Sequence, residues 1–357
     1  MKNTFVFDDT EQDDAVAPVQ YDITSFGADY DVEGLVKRLG RGDIEIPRFQ
    51  RDFVWSIGEA SRFIESLLLG LPVPGIFLAR DSNTNRLLVI DGQQRLKSLQ
   101  FYFDGYFDPQ NDSRTQKVFR LTGVQKRFEG LTYSELSVDD RRLLNDSIIH
   151  ATIVKQEKPK DNDTSIYHIF KRLNDSGRKL TPQQIRVAIY HGGFIELIKE
   201  LNEYPTWRSI YGKHASSLKD QELILRFLAL YFAASSYSRP MSEFLNRFAM
   251  WGRKQSESQW AEYRNIFHEA IDTVFEALGS RAFRPERALN AAVFDSVMVG
   301  IATRLSTKAP VDSGRIHSIY TALLSDKPYL VLISQSTSDE KNVEARLQMT
   351  VDRFQVA

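Results

Sequence analysis

The sequence has no cysteine. Disulfides, thiolate nucleophiles and cysteine-ligated zinc are therefore excluded. Histidine is sparse: six residues, at 150, 168, 191, 214, 268 and 317, none at the close spacing of a helical metal pair. The His-Glu-x-x-His pattern of zinc peptidases is missing. Long apolar runs are missing too. The most apolar one, Leu223 to Ala234, is too short for a bilayer and carries Arg226. No apolar leader opens the chain. Residues 1–20 are acidic instead, with Asp8, Asp9, Glu11, Asp13 and Asp14, and read as a mobile arm. A cytoplasmic location without membrane contact is expected. Charge of either sign is not in excess: the net value is −1. Any basic surface for nucleic acid must be local. Internal repeats, low-complexity segments and the Gly-x-x-x-x-Gly-Lys-Ser/Thr phosphate loop do not occur.

What is present fits an ordinary globular protein. The 357 residues are 42% hydrophobic and 26% charged, enough for two domains with real cores. The pattern predicts a helix over Asp31 to Leu39 stopped by Gly40, and an extended Asp43 to Pro47. A helix over Ser56 to Leu69 follows, with Ser56 and Glu59 as a capping box and Gly70 at its end. Strands are expected over Ile76 to Arg80 and Arg86 to Ile90. The run Leu87-Leu88-Val89-Ile90 implies burial on both faces. A helix over Gln93 to Phe103 would bury Leu96, Leu99 and Phe103. Short strands are expected near Val118 to Leu121 and Ala151 to Lys155, and a helix over Asp163 to Leu173. Thr181-Pro182-Gln183-Gln184 reads as a capped helix start. Beyond Glu200 long helical patterns take over: Leu218 to Ala233, Met241 to Trp251, Gln259 to Ala277, Glu286 to Leu305 and Gly314 to Leu324. The expectation is an α+β protein, with a mixed domain over 21–200 and a helical domain over 201–357.

The segment Asp91-Gly92-Gln93-Gln94-Arg95 draws attention. A buried strand that turns on glycine into a helix presents backbone N–H groups without internal partners, at the positive end of the helix dipole. An anion, above all a nucleotide phosphate, suits that place. Arg95 adds a forked donor, Gln93 and Gln94 add amides, and Asp91 could hold a divalent metal. The same residues also fit a plain helix cap, with Asp91 as N-cap and Gln94 reaching back to it.

Three further stretches stand out. Ile46 to Trp55 alternates Arg48 and Arg51 with Phe49, Phe53 and Trp55. Its aromatics read either as core or as a stacking platform for a base. Phe170 to Leu180 contains Lys171, Arg172, Arg178 and Lys179 around the turn Asn174 to Gly177. Such a turn is either an anion nest or a solvated connection. A basic run at Arg114, Lys117, Arg120, Lys126 and Arg127 suits a DNA backbone or an exposed face equally. Glu222 and Arg226 stand four apart, the spacing of an ordinary helix ion pair.

Taken in order, Ile46-Pro47-x-Phe49-Gln50-Arg51-x-Phe53-Val54-Trp55, Asp91 to Arg95, and Phe170-x-Arg172-Leu173-Asn174-x-x-Gly177-x-x-Leu180 resemble the DGQQR domain. That domain forms the N-terminal half of GmrSD-type modification-dependent restriction endonucleases and occurs in phosphorothioate-sensing defence proteins. Asp220 to Phe227 and Glu243 to Asn246 look similar as well, so the resemblance runs over residues 20 to 300. It implies a ParB/sulfiredoxin-like first domain that binds and hydrolyses a nucleoside triphosphate with Mg2+. By resemblance Asp91, Gln93, Gln94 and Arg95 are catalytic, with Asp91 on the metal. Gln50, Arg51, Gly92, Asn174 and Gly177 would hold the nucleotide. Arg48, Lys171, Arg172, Arg178 and Lys179 are the candidate DNA contacts.

Restriction members also carry an HNH nuclease domain, which needs a histidine base beside metal ligands. After residue 300 there is one histidine, His317. The resemblance therefore implies a regulatory or sensor subunit of a bacterial DNA-defence system that recognises modified or foreign DNA and controls a separate nuclease; self-association is left open. The alternatives are a DNA-binding module without NTPase activity and a stand-alone metal-dependent nuclease.

Overall fold

The computed structural model describes residues 22–46, 53–81, 85–108, 116–158, 167–169 and 181–357. Two compact units divide at Leu180/Thr181: one spans Gln20–Leu180, the other runs from Thr181 to Ala357. The expected division lay at 200/201. The helices just before that point group with the second unit because their buried polar side chains bond to later helices. Arg186, for example, donates to Asn246 and Glu222.

The first unit is a mixed sheet with helices. Its strands are β1 (Asp22–Asp31), β2 (Ile44–Glu45), β3 (Ile76–Arg80), β4 (Leu87–Asp91) and β7 (Ile148–Lys158), in the order β1-β7-β3-β4-β2. β3 runs parallel to β7 and antiparallel to β4, while β2 pairs in parallel with β4. β4 is interior, and Leu87, Val89 and Ile90 are all buried, as its continuous apolar run predicts. A small hairpin, β5 (Tyr106–Phe107) with β6 (Lys117–Val118), stands apart; the latter is shorter than the strand expected there. The ten-residue β1 was not foreseen. Its composition is mostly polar and glycine-containing, and it is held as an edge by antiparallel pairing along β7.

Helices α1 (Val32–Arg41), α2 (Ile57–Leu68), α3 (Gln93–Asp104) and α4 (Val138–Asp146) supply the other half of this core. Leu35, Ile64, Leu96 and Leu99 meet Leu78, Val89, Ala151 and Ile153. α1 does not stop at Gly40: that residue is helical, and Gly42, at φ 73°, ends the helix. α2 has the expected capping box of Ser56 and Glu59. In α3 the buried aromatic is Tyr102, whereas Phe103 stacks on Tyr133 at 4.3 Å.

The second unit is helical throughout its described length. It contains α5 (Pro182–Ile189), α6 (Gly193–Asn202), α7 (Pro205–Tyr211), α8 (Lys219–Ala233), α9 (Met241–Gly252), α10 (Glu257–Leu278), α11 (Ala291–Ser306), α12 (Ser313–Leu323), α13 (Lys327–Leu332) and α14 (Glu340–Phe354). α5 opens with the capping box of Thr181 and Gln184. α8 and α11 are buried along most of their length and form the centre. α14 packs against α11 so closely that a Cβ at Gly300 would meet Phe354 at 2.9 Å. Among the described residues no helix is long and apolar enough to cross a membrane.

Candidate functional site

Strand β4 ends at Asp91 and α3 begins at Gln93, so the whole reversal falls on Gly92. Its φ is 104°, a conformation that side chains disfavour. A Cβ there would stand 2.4 Å from Ile76 Cγ2 on β3. Glycine is required twice over, by backbone conformation and by space.

The helix-cap alternative does not hold. The N-cap is Gly92 itself, which brings no side chain to the first turn. The Asp91 carboxylate accepts instead from Arg95 Nη2 at 2.7 Å. Gln94 does not reach back: its Oε1 accepts from the backbone N–H groups of Val54 (3.0 Å) and Trp55 (3.2 Å). The first intrahelical bond runs from Leu96 N to Gly92 O. The N-terminal end of α3 thus carries the dipole's positive end with no capping side chain from its own N-cap residue.

The side chains add donors. Arg95 Nε and Gln94 Nε2 are buried and have no hydrogen-bond partner, a state that costs about 1–3 kcal/mol per group. The Arg95 side chain is 14% exposed and that of Asp91 58%. Gln93 is buried. A glycine-turned helix start, a shielded guanidinium and an outward carboxylate fit a phosphate with an associated divalent cation. Among the described residues no group of three or more histidines or carboxylates could hold a metal on its own. A lone Asp91 is consistent with magnesium held largely by phosphates and water.

The second motif is described at its two ends. Phe53 is core: its ring meets Phe101 edge-on at 5.1 Å and Phe107 at 5.5 Å. Trp55 packs edge-on against Phe63 at 5.8 Å. The core reading of these two aromatics is therefore the right one. Arg48, Gln50 and Arg51 lie outside the described residues, as do Lys171, Arg172, Asn174, Gly177, Arg178 and Lys179 and the helix expected over Asp163 to Leu173, except residues 167–169. The structure brings together Asp91, Gly92, Gln93, Gln94 and Arg95.

The basic run beyond residue 114 is not a free cationic stripe. Arg120 is held by Glu135 at 2.7 Å and by the Gly130 carbonyl at 2.8 Å. Arg127 lies over the Phe128 ring at 4.2 Å. The helical unit holds polar clusters that sequence spacing misassigned. Glu222 accepts from Arg186 at 3.3 Å, while Arg226 meets Asp295 at 2.6 Å. The available signal was the apolar run Leu223-Ile224-Leu225 and Phe227-Leu228-Ala229-Leu230 around Arg226, which marks that part of α8 for burial.

A mixed sheet whose interior strand turns on glycine into a helix, followed by a helical unit, defines an α+β protein. Residues 32–191 match the family described as GmrSD restriction endonuclease, N-terminal domain. The chain is also similar to an uncharacterized protein of Methanocaldococcus jannaschii, 35% identical over a region covering 46% of this chain. That match spans 41% of the relative's length.

Proposed function

We propose that the first unit binds and hydrolyses a nucleoside triphosphate, and that the chain is the sensor or regulatory part of a restriction-type DNA-defence system. One observation carries this reading. The glycine-turned start of α3, with the unsatisfied buried Arg95 Nε beside it, lies within the segment that matches a restriction-endonuclease N-terminal domain.

Each residue has a part. The backbone N–H groups that follow Gly92 face the phosphates, and Gly92 permits the close approach. Arg95 neutralises phosphate charge in a shielded setting, where charge-assisted bonds are strong. Asp91, exposed and adjacent, supports a magnesium ion or orients a water. A bound magnesium–nucleotide supplies the scissile anhydride and counter-charge for its own phosphates. Gln50, Arg51, Asn174 and Gly177 complete the nucleotide contacts in this proposal. Modified or foreign DNA is the recognised partner, through Arg48, Lys171, Arg172, Arg178 and Lys179, and cleavage belongs to a separate nuclease subunit.

Calorimetry with each of the four nucleoside triphosphates and Mg2+ tests the reading. Binding of at least one, weakened in Arg95→Ala, is expected. No heat with any triphosphate, or equal affinity in the variant, refutes it.

A further inference from the structure

Gln94 sits where a side-chain amide would face a phosphate, yet its carbonyl is committed elsewhere. Oε1 accepts from both Val54 N and Trp55 N, donors about forty residues earlier in the chain. Its Nε2 is buried without a partner. The bonding is one-sided: the oxygen carries the contacts.

Those two backbone donors belong to the returning limb of the motif over residues 46–55. The same limb is held by a second, independent contact. Phe53 is 5% exposed and its ring meets Phe101, two turns further along α3 from Gln94. On the outgoing side, β2 pairs with β4 through Ile44 to Leu87 and Glu45 to Leu88. The chain before the motif is thereby paired with the start of β4, and the end of the motif is held on α3. One tie is made by backbone pairing, the other by Gln94 and Phe53.

We infer that Gln94 is a positioning residue, tying the returning limb of the 46–55 motif to the first turn of α3, and is not a ligand of the phosphates. Glutamate keeps an acceptor in place, and a negative charge in the first turn of a helix beside Arg95 is favoured. The same charge repels a phosphate in either role, so Gln94→Glu reports on the anchoring and the neutral variants on affinity. The anchoring itself is independent of the nucleotide reading; only its effect on affinity rests on that reading.

The test uses the full chain as wild type, Gln94→Glu, Gln94→Ala and Gln94→Met; the last keeps side-chain volume and removes the acceptor. Amide hydrogen exchange at Val54 and Trp55 is read first. Protection should stay within about threefold in Gln94→Glu and fall about tenfold in Gln94→Ala and Gln94→Met. Equal protection in all four proteins overturns the anchoring. Affinity for the magnesium–triphosphate is read second, and Gln94→Ala and Gln94→Met should weaken it in step with the lost protection. Weaker binding in Gln94→Ala with protection of Val54 and Trp55 kept overturns the positioning role in favour of direct contact. If the wild type binds no triphosphate, the nucleotide reading fails and the exchange result alone decides the anchoring.

Discussion

Arg95 and Asp91 meet at 2.7 Å across one turn of chain, with the arginine shielded and the aspartate largely exposed. A phosphate that takes Arg95 Nη2 must share it with this carboxylate or displace it. In the proposed reading Asp91 therefore competes with the phosphate for Arg95 and would support a magnesium ion.

The first prediction follows from that competition. Arg95→Ala should weaken triphosphate binding about tenfold or more, the scale of a lost charge-assisted bond. Asp91→Asn should leave affinity for magnesium-free triphosphate equal or higher, yet slow phosphate release from the magnesium complex. Titration calorimetry and a phosphate-release assay read the two effects. Weaker metal-free binding in Asp91→Asn would contradict the competition.

Gly92→Ala combines a disfavoured φ with a clash against Ile76, so it should cost about 2–4 kcal/mol in urea unfolding. Gly105 ends α3 at φ 83° with open space around it. Gly105→Ala carries the conformational penalty alone and should cost about 1–2 kcal/mol. Equal losses in the two variants would show that the Ile76 contact is relieved elsewhere.

In the helical unit Asp295 receives Arg226 at 2.6 Å and lies 3.5 Å from Arg346, with all three side chains buried. Removing the acid takes a counter-charge from two buried arginines. Asp295→Ala should cost about 3–5 kcal/mol in chemical denaturation. Replacing Arg226 by Met in the same chain should recover part of that loss. An additive double variant would mean that the pair is not coupled.

The acid limb of stability carries a fourth prediction. The Ser56 backbone N–H donates to Glu59 at 2.7 Å and the Ser56 hydroxyl at 2.8 Å. These bonds, the backbone one first, hold the carboxyl below its ordinary range. A lowered folded-state pKa gives stability that is present above the unfolded value and lost as pH falls through the folded one. Glu59→Gln keeps an acceptor but does not titrate. Its melting temperature should fall less steeply than wild type below about pH 4.3. Superimposable acid limbs would assign the steepness to other carboxylates.

Local chemistry made much of the fold readable from the chain. Ser56 with Glu59 and Thr181 with Gln184 announce their helices because both partners lie within one turn. β3, β4 and the start of α3 are marked by an apolar run and a glycine. The second half is legible as helix because its apolar residues recur at helical spacing. The end of α1 was not, since Gly40 and Gly42 look alike until one adopts a positive φ. β1 was hidden because an exposed edge strand needs little apolar patterning once β7 pairs with it.

At the candidate site the sequence by itself determined the turn and the glycine that shapes it. Tertiary structure decided what each side chain does there. The cap expected from Asp91 and Gln94 gave way because stronger partners were available: Arg95 for the aspartate, and the Val54 and Trp55 amides for the glutamine. Likewise Glu222 and Arg226 have the spacing of a helix pair, but burial gave each a partner 36 or 69 residues away. Spacing along a chain ranks only neighbours in sequence, and a buried charge or amide is governed by whichever partner the packed core brings within reach.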